Sequence, residues 1–526
     1  MEKKRLTIVE TSDIHGHIFP HYYSNHSYKP IGLGLISSYL KKLRKEEESI
    51  LVIDNGDLIQ GTPLTLYYVK QMNYLPNPMI KALNELKYDV AVIGNHEFNY
   101  GLIVLQNAID GSSFPWLSCN ILSSLTKQPY FGKPYIVKKF DDLKIAILGA
   151  TTHYIPNWED PNHIKGLEFV DACQAIKKWV KIIQEVENPD FLIVSYHGGI
   201  ERDLHTGEPT EKLTGENQAF EICQNVEGID LLLTGHQHRK VIGKVNNITI
   251  VQPGSNGSAL GKITVEFMKK DGKWKVKSID PEIIEFHQEE VDSSLLQLIK
   301  DYEEGTQKWL DQIIGHVEGD MQIHDPFQVR IKEHPFIEFV NKVQMDATNT
   351  SISCTALFTE EAKGFHQTIT VRDIVSNYIF PNTLKVIEVT GEDIKLALEK
   401  SATYFSIENG ELIVNPSFSK PKPQHFNYDM WEGIEYILDI RKPIGNRVVK
   451  LKYAGEPIDM KKKYHVVMNN YRAGGGGEYT MFKGKKVVKD VPVDMIEIMI
   501  NYILQSPYVK ATCNHNWKVI WKKGVT

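Results

Sequence analysis

Six short runs in the first half of the chain are apolar at nearly every position: 6–9, 50–53, 90–93, 145–148, 191–194 and 231–233. Short unbroken apolar runs predict strands buried on both faces. Between them, 35–45, 78–86, 102–108, 172–186 and 218–225 space their apolar residues at helical intervals. Strand-then-helix alternation predicts an α/β layered core. Segments 248–251 and 262–267 alternate, flanked by Pro253-Gly254 and Asp271-Gly272, and predict antiparallel strands closing a first domain over 1–290. Around 291–316 the pattern turns charged and sparsely apolar. It reads equally as a linker helix or as the opening helix of a second domain. Over 317–526 the pattern is α+β, with helices at 336–343 and 393–402 and strands at 384–389, 434–440, 448–453 and 464–468. Turn residues punctuate it at Pro421-Lys422-Pro423 and 474–477.

A polar cluster follows five of the apolar runs. They read Asp13-Ile14-His15, Gly56-Asp57, Gly94-Asn95-His96-Glu97, His197-Gly198-Gly199 and Gly235-His236-Gln237-His238. Carboxyl ends of strands are where layered α/β folds place their chemistry. Oxygen and imidazole donors without thiolate suit two adjacent divalent cations, with Mn, Zn, Fe or Co all compatible. In an extended segment residues i and i+2 share a side, so Asp13 and His15 are expected to converge. Gly16 and Gly235 let the backbone approach closely. We assign Asp13, His15 and His238 to one ion and Asn95, His197 and His236 to the other. Asp57 is expected to bridge both with its two oxygens. His96, next to a ligand, is expected to point away from the ions and donate to a phosphoryl oxygen or the leaving group. Two such cations lower the pKa of a shared water to about 7 and align in-line attack on phosphorus.

Composition narrows the class. A chain of 526 residues with 42% hydrophobic content suits two globular domains. A net charge of −6 makes a nucleic acid polymer a poor partner. Five scattered cysteines, never in a CxxC pair, predict idle thiols rather than disulfides. The apolar run after Met1-Glu2-Lys3-Lys4-Arg5 is too short for an export signal and reads as a first strand. No run is long enough to span a membrane. A cytoplasmic setting is the expectation; oligomeric state is not legible.

These clusters, in this order, resemble the calcineurin-like metallophosphoesterases. Segments 11–17, 54–61 and 94–101 (GNHEFNYG) resemble the 5′-nucleotidase family. Within it they are most similar to the 2′,3′-cyclic-nucleotide 2′-phosphodiesterase/3′-nucleotidase branch. In the second half, 378–384, Phe426-Asn427-Tyr428-Asp429 and Asn469-Asn470-Tyr471-Arg472 resemble that branch's C-terminal domain. The resemblance implies a four-layer αββα catalytic domain and a C-terminal α+β domain that grips the nucleoside and rotates relative to the metals. It implies a nucleotide substrate, with a base between Phe426 (or Tyr428) and Tyr471 and polar contacts from Asn427, Asp429 and Arg472. Monoester-specific relatives carry Asp where this chain has Asn99. An Asp would add charge beside His96, and Asn99 does not, so a neutral His96 suited to a cyclic diester is implied. The activity implied is hydrolysis of nucleoside 2′,3′-cyclic phosphates and then of 3′-nucleotides. Alternatives are a 5′-nucleotidase, a cyclic-dinucleotide phosphodiesterase and a non-hydrolysing nucleotide sensor.

Overall fold

The computed structural model describes residues 2–522 except Trp158, Pro381, Pro421 and Pro492. Pro381 of the 378–384 motif and Pro421 of the turn cluster thus lie outside the described residues. The chain divides into two compact units, Met1–Thr306 and Gln307–Thr526.

The first unit holds two six-stranded sheets. One runs Lys273–Glu285, Ala259–Lys270, Lys3–Thr11, Ile50–Asp54, Val90–Val92, Trp116–Leu117. The other runs Lys240–Val245, Ile248–Pro253, Leu231–Thr234, Phe191–His197, Leu143–Thr151, Tyr135–Phe140. Side-chain alternation explains the layering. Ile145 and Ile147 join Phe191, Ile193, Leu6, Ile8, Leu51 and Ile53 in a core between the sheets. Ala146 and Leu148, one residue out of phase, pack with Ile176, Val180 and Ile183 of the helix Ala172–Val186 and with Ile222. Helices Leu33–Glu46, Pro78–Glu85 and Gly101–Asp110 bury apolar residues too, among them Leu40, Leu43, Leu83 and Leu105. The result is the expected αββα arrangement. The apolar runs are uniformly hydrophobic because both faces of each sheet are covered.

Parallel pairing sets where the chemistry lies. Lys3–Thr11, Ile50–Asp54 and Val90–Val92 pair in parallel, as do Leu231–Thr234 and Phe191–His197. The polar clusters therefore all leave carboxyl ends of strands. Segment 248–251 is only half as expected: it pairs antiparallel with Lys240–Val245 but parallel with Leu231–Thr234.

The helix expected at 291–316 runs Ser293–Leu310, and Ile313–Glu318 is a strand. Its Leu295 and Ile299 are fully buried. Tyr302 donates to Pro76 O at 2.8 Å, and Glu303 accepts from Tyr23 at 2.7 Å. That sparse apolar stripe makes most of the helix part of the first unit rather than a solvated linker.

The second unit centres on a five-stranded sheet ordered Asp429–Glu432, Ser353–Ala356, Lys463–Asn469, Leu384–Thr390, Val487–Val491. Helix Pro335–Thr348 buries Phe336, Phe339, Val340 and Val343, and Gly391–Ala402 buries Ile394, Ala397 and Leu398. A four-stranded sheet includes Val448–Tyr453, Glu435–Asp439 and Trp517–Ile520. Among the described residues no helix is long and apolar enough to cross a membrane.

Candidate metal centre

Two groups of donor atoms gather at the strand ends: Asp13, His15 and His238, and Asp57, His197 and His236. Within each group the donor atoms lie within 4.8 Å of one another. His15 Nε2 and His238 Nε2 approach to 3.0 Å, and His238 Nε2 lies 3.3 Å from Asp13 Oδ1. In the second group His197 Nε2 lies 3.2 Å from Asp57 Oδ2. Asn95 joins it, its Oδ1 2.8 Å from His236 Nδ1 and 3.2 Å from His197 Nε2.

The backbone route to this convergence differs from the extended-strand expectation. Asp13, His15, Asp57, His236 and His238 all have φ between 49° and 67°, the left-handed region that side chains rarely adopt. The strands have already ended, and tight turns aim the ligands. Such strain persists where surrounding contacts over-determine it, and it gathers at functional sites. Here the contacts are specific. Glu97 accepts from Asp57 N at 2.9 Å, Leu58 N at 2.6 Å and Gly94 N at 2.7 Å, drawing two ligand turns together. Gly56 (φ 94°) has no room for a side chain, since a Cβ there would lie 2.6 Å from Gly94 N.

Asp57 is the pivot. Its Oδ1 accepts from His96 N at 2.7 Å. Its Oδ2 is buried and has no hydrogen-bond partner, yet lies 3.2 Å from His197 Nε2 and 3.9 Å from His15 Nε2, one from each group. The expectation of a two-oxygen bridge therefore changes: one oxygen is taken by the backbone, and a single oxygen faces both groups. A buried carboxylate oxygen without a partner is costly. A cation on each side answers that cost, so the site fits the metals that its donor chemistry implies. Without cations the need for positive charge beside these carboxylates falls on the imidazoles. Burial would raise Asp13's carboxyl, but His238 beside it holds it well below the usual range. Burial likewise opposes a charge on His197, yet Asp57 lifts its imidazole to about 10.

The donors are oriented by partners behind them. His197 Nδ1 faces Asn55 O at 2.6 Å, leaving Nε2 for the site. His236 Nε2 faces Glu216 Oε1 at 2.8 Å, leaving Nδ1. Glu216 was missed in the sequence; it lies in a loop 20 residues before its partner, with no motif to mark it.

The His96 ring stands edge-on to His15, centroids 5.2 Å apart. Its Nδ1 lies 2.6 Å from Asn99 Oδ1. Asn99 Nδ2 donates to Glu159 Oε2 at 2.7 Å, and Glu159 Oε1 lies 2.9 Å from His163 Nδ1. An ionised carboxylate only accepts. Glu159 therefore fixes the amide orientation of Asn99, which in turn requires Nδ1–H on His96. Glu159 and His163 had no signal in the sequence, although they stand behind Asn99.

In the second unit the expected nucleoside contacts are rearranged. Phe426 and Tyr471 are half-buried neighbours, but their rings meet edge to face at 6.4 Å and 71°, not as parallel walls. Tyr428 is fully buried, donates to Arg330 O and packs on Tyr404 and Phe405. It does not share a face with Phe426, because His425–Asn427 is a 3-10 turn rather than a strand. Asp429 and Arg472 form a buried ion pair at 2.7 Å. Arg472 lies over Tyr479 at 3.8 Å and reaches Asn427 Oδ1 at 3.4 Å. Asp429 and Arg472 thus spend their charges on each other inside the unit.

Comparison with known proteins agrees with this geometry. Residues 6–240 match the calcineurin-like phosphoesterase family, and residues 313–484 match the 5′-nucleotidase C-terminal domain. The solved structure of a candidate 5′-nucleotidase from Staphylococcus aureus is 34% identical, with a TM-score of 0.90 over 98% of this chain and 100% of that one. The 2′,3′-cyclic-nucleotide 2′-phosphodiesterase/3′-nucleotidase of Haemophilus influenzae is 28% identical over 98% of this chain and 87% of its own length. The trifunctional nucleotide phosphoesterase YfkN of Bacillus subtilis is 27% identical over 98% of this chain, which spans 39% of YfkN's length. Full-length likeness at this identity, together with a dinuclear donor set on an αββα core, shows that the chain is a metallophosphoesterase of the 5′-nucleotidase family.

Proposed function

We propose that this protein hydrolyses nucleoside 2′,3′-cyclic phosphates to 3′-nucleotides, and 3′-nucleotides to nucleosides, at a pair of divalent cations. The observation that carries the reading is Asp57 Oδ2, buried, unpaired and facing both donor groups. The Haemophilus influenzae relative is named for this pair of activities, and that supports the choice of substrate.

Asp13, His15 and His238 would hold one cation and Asn95, His197 and His236 the other, with Asp57 placed to serve both. When bound, such a pair polarises phosphoryl oxygens and lowers the pKa of an attacking water to about 7. His96 stands at the edge of the donor set. With Nδ1–H committed to Asn99, its Nε2 is the atom that meets the reacting phosphate. A neutral ring held in this way presents Nε2 as an acceptor, so donation to a phosphoryl oxygen or to the leaving 2′ or 3′ oxygen requires a second proton on the ring, contrary to the neutral His96 that Asn99 implied. Asn99 and Glu159 keep the ring from turning. In the second unit a base stacks on the half-buried ring of Phe426 or Tyr471, worth about 1–3 kcal/mol per base. Arg472 donates to Phe426 O at 3.1 Å and lies 5.6 Å from the centre of the Tyr471 ring.

The test is a substrate panel on metal-stripped protein with Mn, Zn, Fe or Co added back singly. We expect 2′,3′-cyclic AMP and 3′-AMP to turn over faster than 5′-AMP. We also expect His96→Ala to cut kcat about 10²–10⁴-fold. Preference for 5′-AMP would replace this reading with a 5′-nucleotidase, and preference for a cyclic dinucleotide would replace it with that phosphodiesterase. Tight nucleotide binding by fully metallated protein without turnover would make the chain a sensor.

A further inference from the structure

The second unit contains another gathering of metal-binding side chains, remote in sequence from the motifs above. Glu333 precedes helix Pro335–Thr348, and Glu338 lies in that helix's first turn. The loop between strands Tyr508–Lys510 and Trp517–Ile520 brings Cys513 against them. One donor atom from each of Glu333, Glu338 and Cys513 lies within 4.8 Å of the others. His515, two residues further along the loop, places Nδ1 3.9 Å from Glu333 Oε2.

The partners of the two carboxylates differ. Glu338 is fully engaged: Oε1 accepts from Lys342 and from Thr512 at 2.5 Å, and Oε2 accepts from Asn514 N at 2.8 Å. Glu333 has a side chain only 1% exposed. Its Oε1 receives a long bond from Asn514 N at 3.3 Å, and its Oε2 is buried with no hydrogen-bond partner. Glu432 stands nearby, occupied by Asn514 Nδ2 at 2.7 Å. Three acidic side chains thus stand together, with Lys342 bonded to Glu338, and the Glu333 oxygen that lacks a hydrogen bond lies 3.9 Å from His515 Nδ1. Burying like charges side by side is expensive without a compensating positive charge.

We propose that Glu333, Glu338, Cys513 and His515 form a mononuclear site for a zinc-class divalent cation, separate from the dinuclear centre. One thiolate, one imidazole and two carboxylates are the mixed donors such an ion takes, with Glu338 exchanging one of its bonds from Lys342, Thr512 or Asn514 for the ion. At zinc–ligand distances of about 2.0–2.3 Å, tetrahedral donors lie roughly 3.3–3.8 Å apart. A closure of about an ångström brings this cluster to that spacing. The side chain of His515 is 84% exposed, so it is free to swing inward. Binding releases the Cys513 thiol proton and any proton that Glu333 holds. The ion pins loop 511–516 to the helix and fixes one wall of an open cavity of about 740 Å³, lined by Glu333, Glu432, Asn514, His515 and Trp517. Without an ion the cluster has one other way to balance its charge: burial and the charge of Glu338 push Glu333's carboxyl up to about 8, so that the pair retains a proton.

Cobalt(II) separates the two outcomes. No cysteine belongs to the dinuclear donor set, so a thiolate-to-cobalt charge-transfer band reports this site alone. We expect the full-length protein to develop that band to saturation at one thiolate-bound ion and to lose it on zinc addition. Cys513→Ser should abolish the band while nucleotide hydrolysis stays unchanged. His515→Ala, a change at an exposed side chain that leaves folding intact, should weaken cobalt binding at least tenfold. Absence of the band at saturating cobalt overturns the proposal in favour of the shared proton. Persistence of the band in Cys513→Ser, or unchanged affinity in His515→Ala, overturns it as well.

Discussion

At the scale of single residues, the ligands are spelled out in the chain but their orientation is not. His236 meets the donor set through Nδ1 because Glu216 holds Nε2. Removing that carboxylate frees the ring to rotate. Glu216→Gln is therefore expected to weaken metal affinity about 10–100-fold, read by competition with a chelator of known affinity. The Glu159–His163 contact gives a pH signature. The hydrogen bond to Glu159 raises the His163 imidazole above its usual value, with burial opposing. A histidine whose folded pKa is raised contributes stability that is full below its unfolded pKa of about 6.5 and is lost as pH climbs through the folded value. Urea midpoints of the protein and of His163→Gln should differ at pH 6 and converge by about pH 9; a constant gap across that window would refute the pairing. His96, Asn99 and the candidate metal ligands could be named from motif, spacing and resemblance. Glu159 and Glu216 could not, since each lies in a loop far along the chain from the side chain it orients.

At the scale of elements, hydrophobic pattern was an adequate guide wherever burial was uniform. The strand at 191–194 and the helix at 172–186 were placed by it, and the structure extends or matches them as Phe191–His197 and Ala172–Val186. Where the pattern was sparse it left two readings open. For 291–316 these were a linker helix and the opening helix of the second domain, and the fully buried Leu295 and Ile299 lie in the part of the helix that belongs to the first unit. The turn at His425–Asn427 broke the alternation that would have put Phe426 and Tyr428 on one face. The inter-sheet core sets the position of every ligand turn. Truncating it at Ile147, fully buried between the sheets, is expected to cost about 2–5 kcal/mol, read as a lowered urea midpoint with unchanged slope.

At the scale of the whole molecule, each compact unit has its own sheets, and function rests on what the first unit binds. Cations that bind only the folded state stabilise it by about 2.7 kcal/mol at a hundred times Kd. Stripping them with a chelator should therefore abolish hydrolysis and lower Tm, and add-back should restore both. Unchanged Tm and turnover in verified metal-free protein would contradict a two-cation centre. With a net charge of −6, the chain should show no affinity for duplex DNA at physiological salt, measured by fluorescence anisotropy.

The alternation of strands and helices in the first half and the set of candidate donor residues were legible in the sequence itself, while the αββα layering came with the family resemblance. Strand burial and turn chemistry are local patterns, and five polar clusters followed the apolar runs that position them. The tertiary structure alone decided which oxygen of Asp57 faces both groups, that the ligand turns are left-handed, and that Asp429 and Arg472 spend their charges on each other. Those outcomes depend on contacts between segments tens to hundreds of residues apart. Hydrogen-bond competition and desolvation choose the partners there, and no local pattern records the choice.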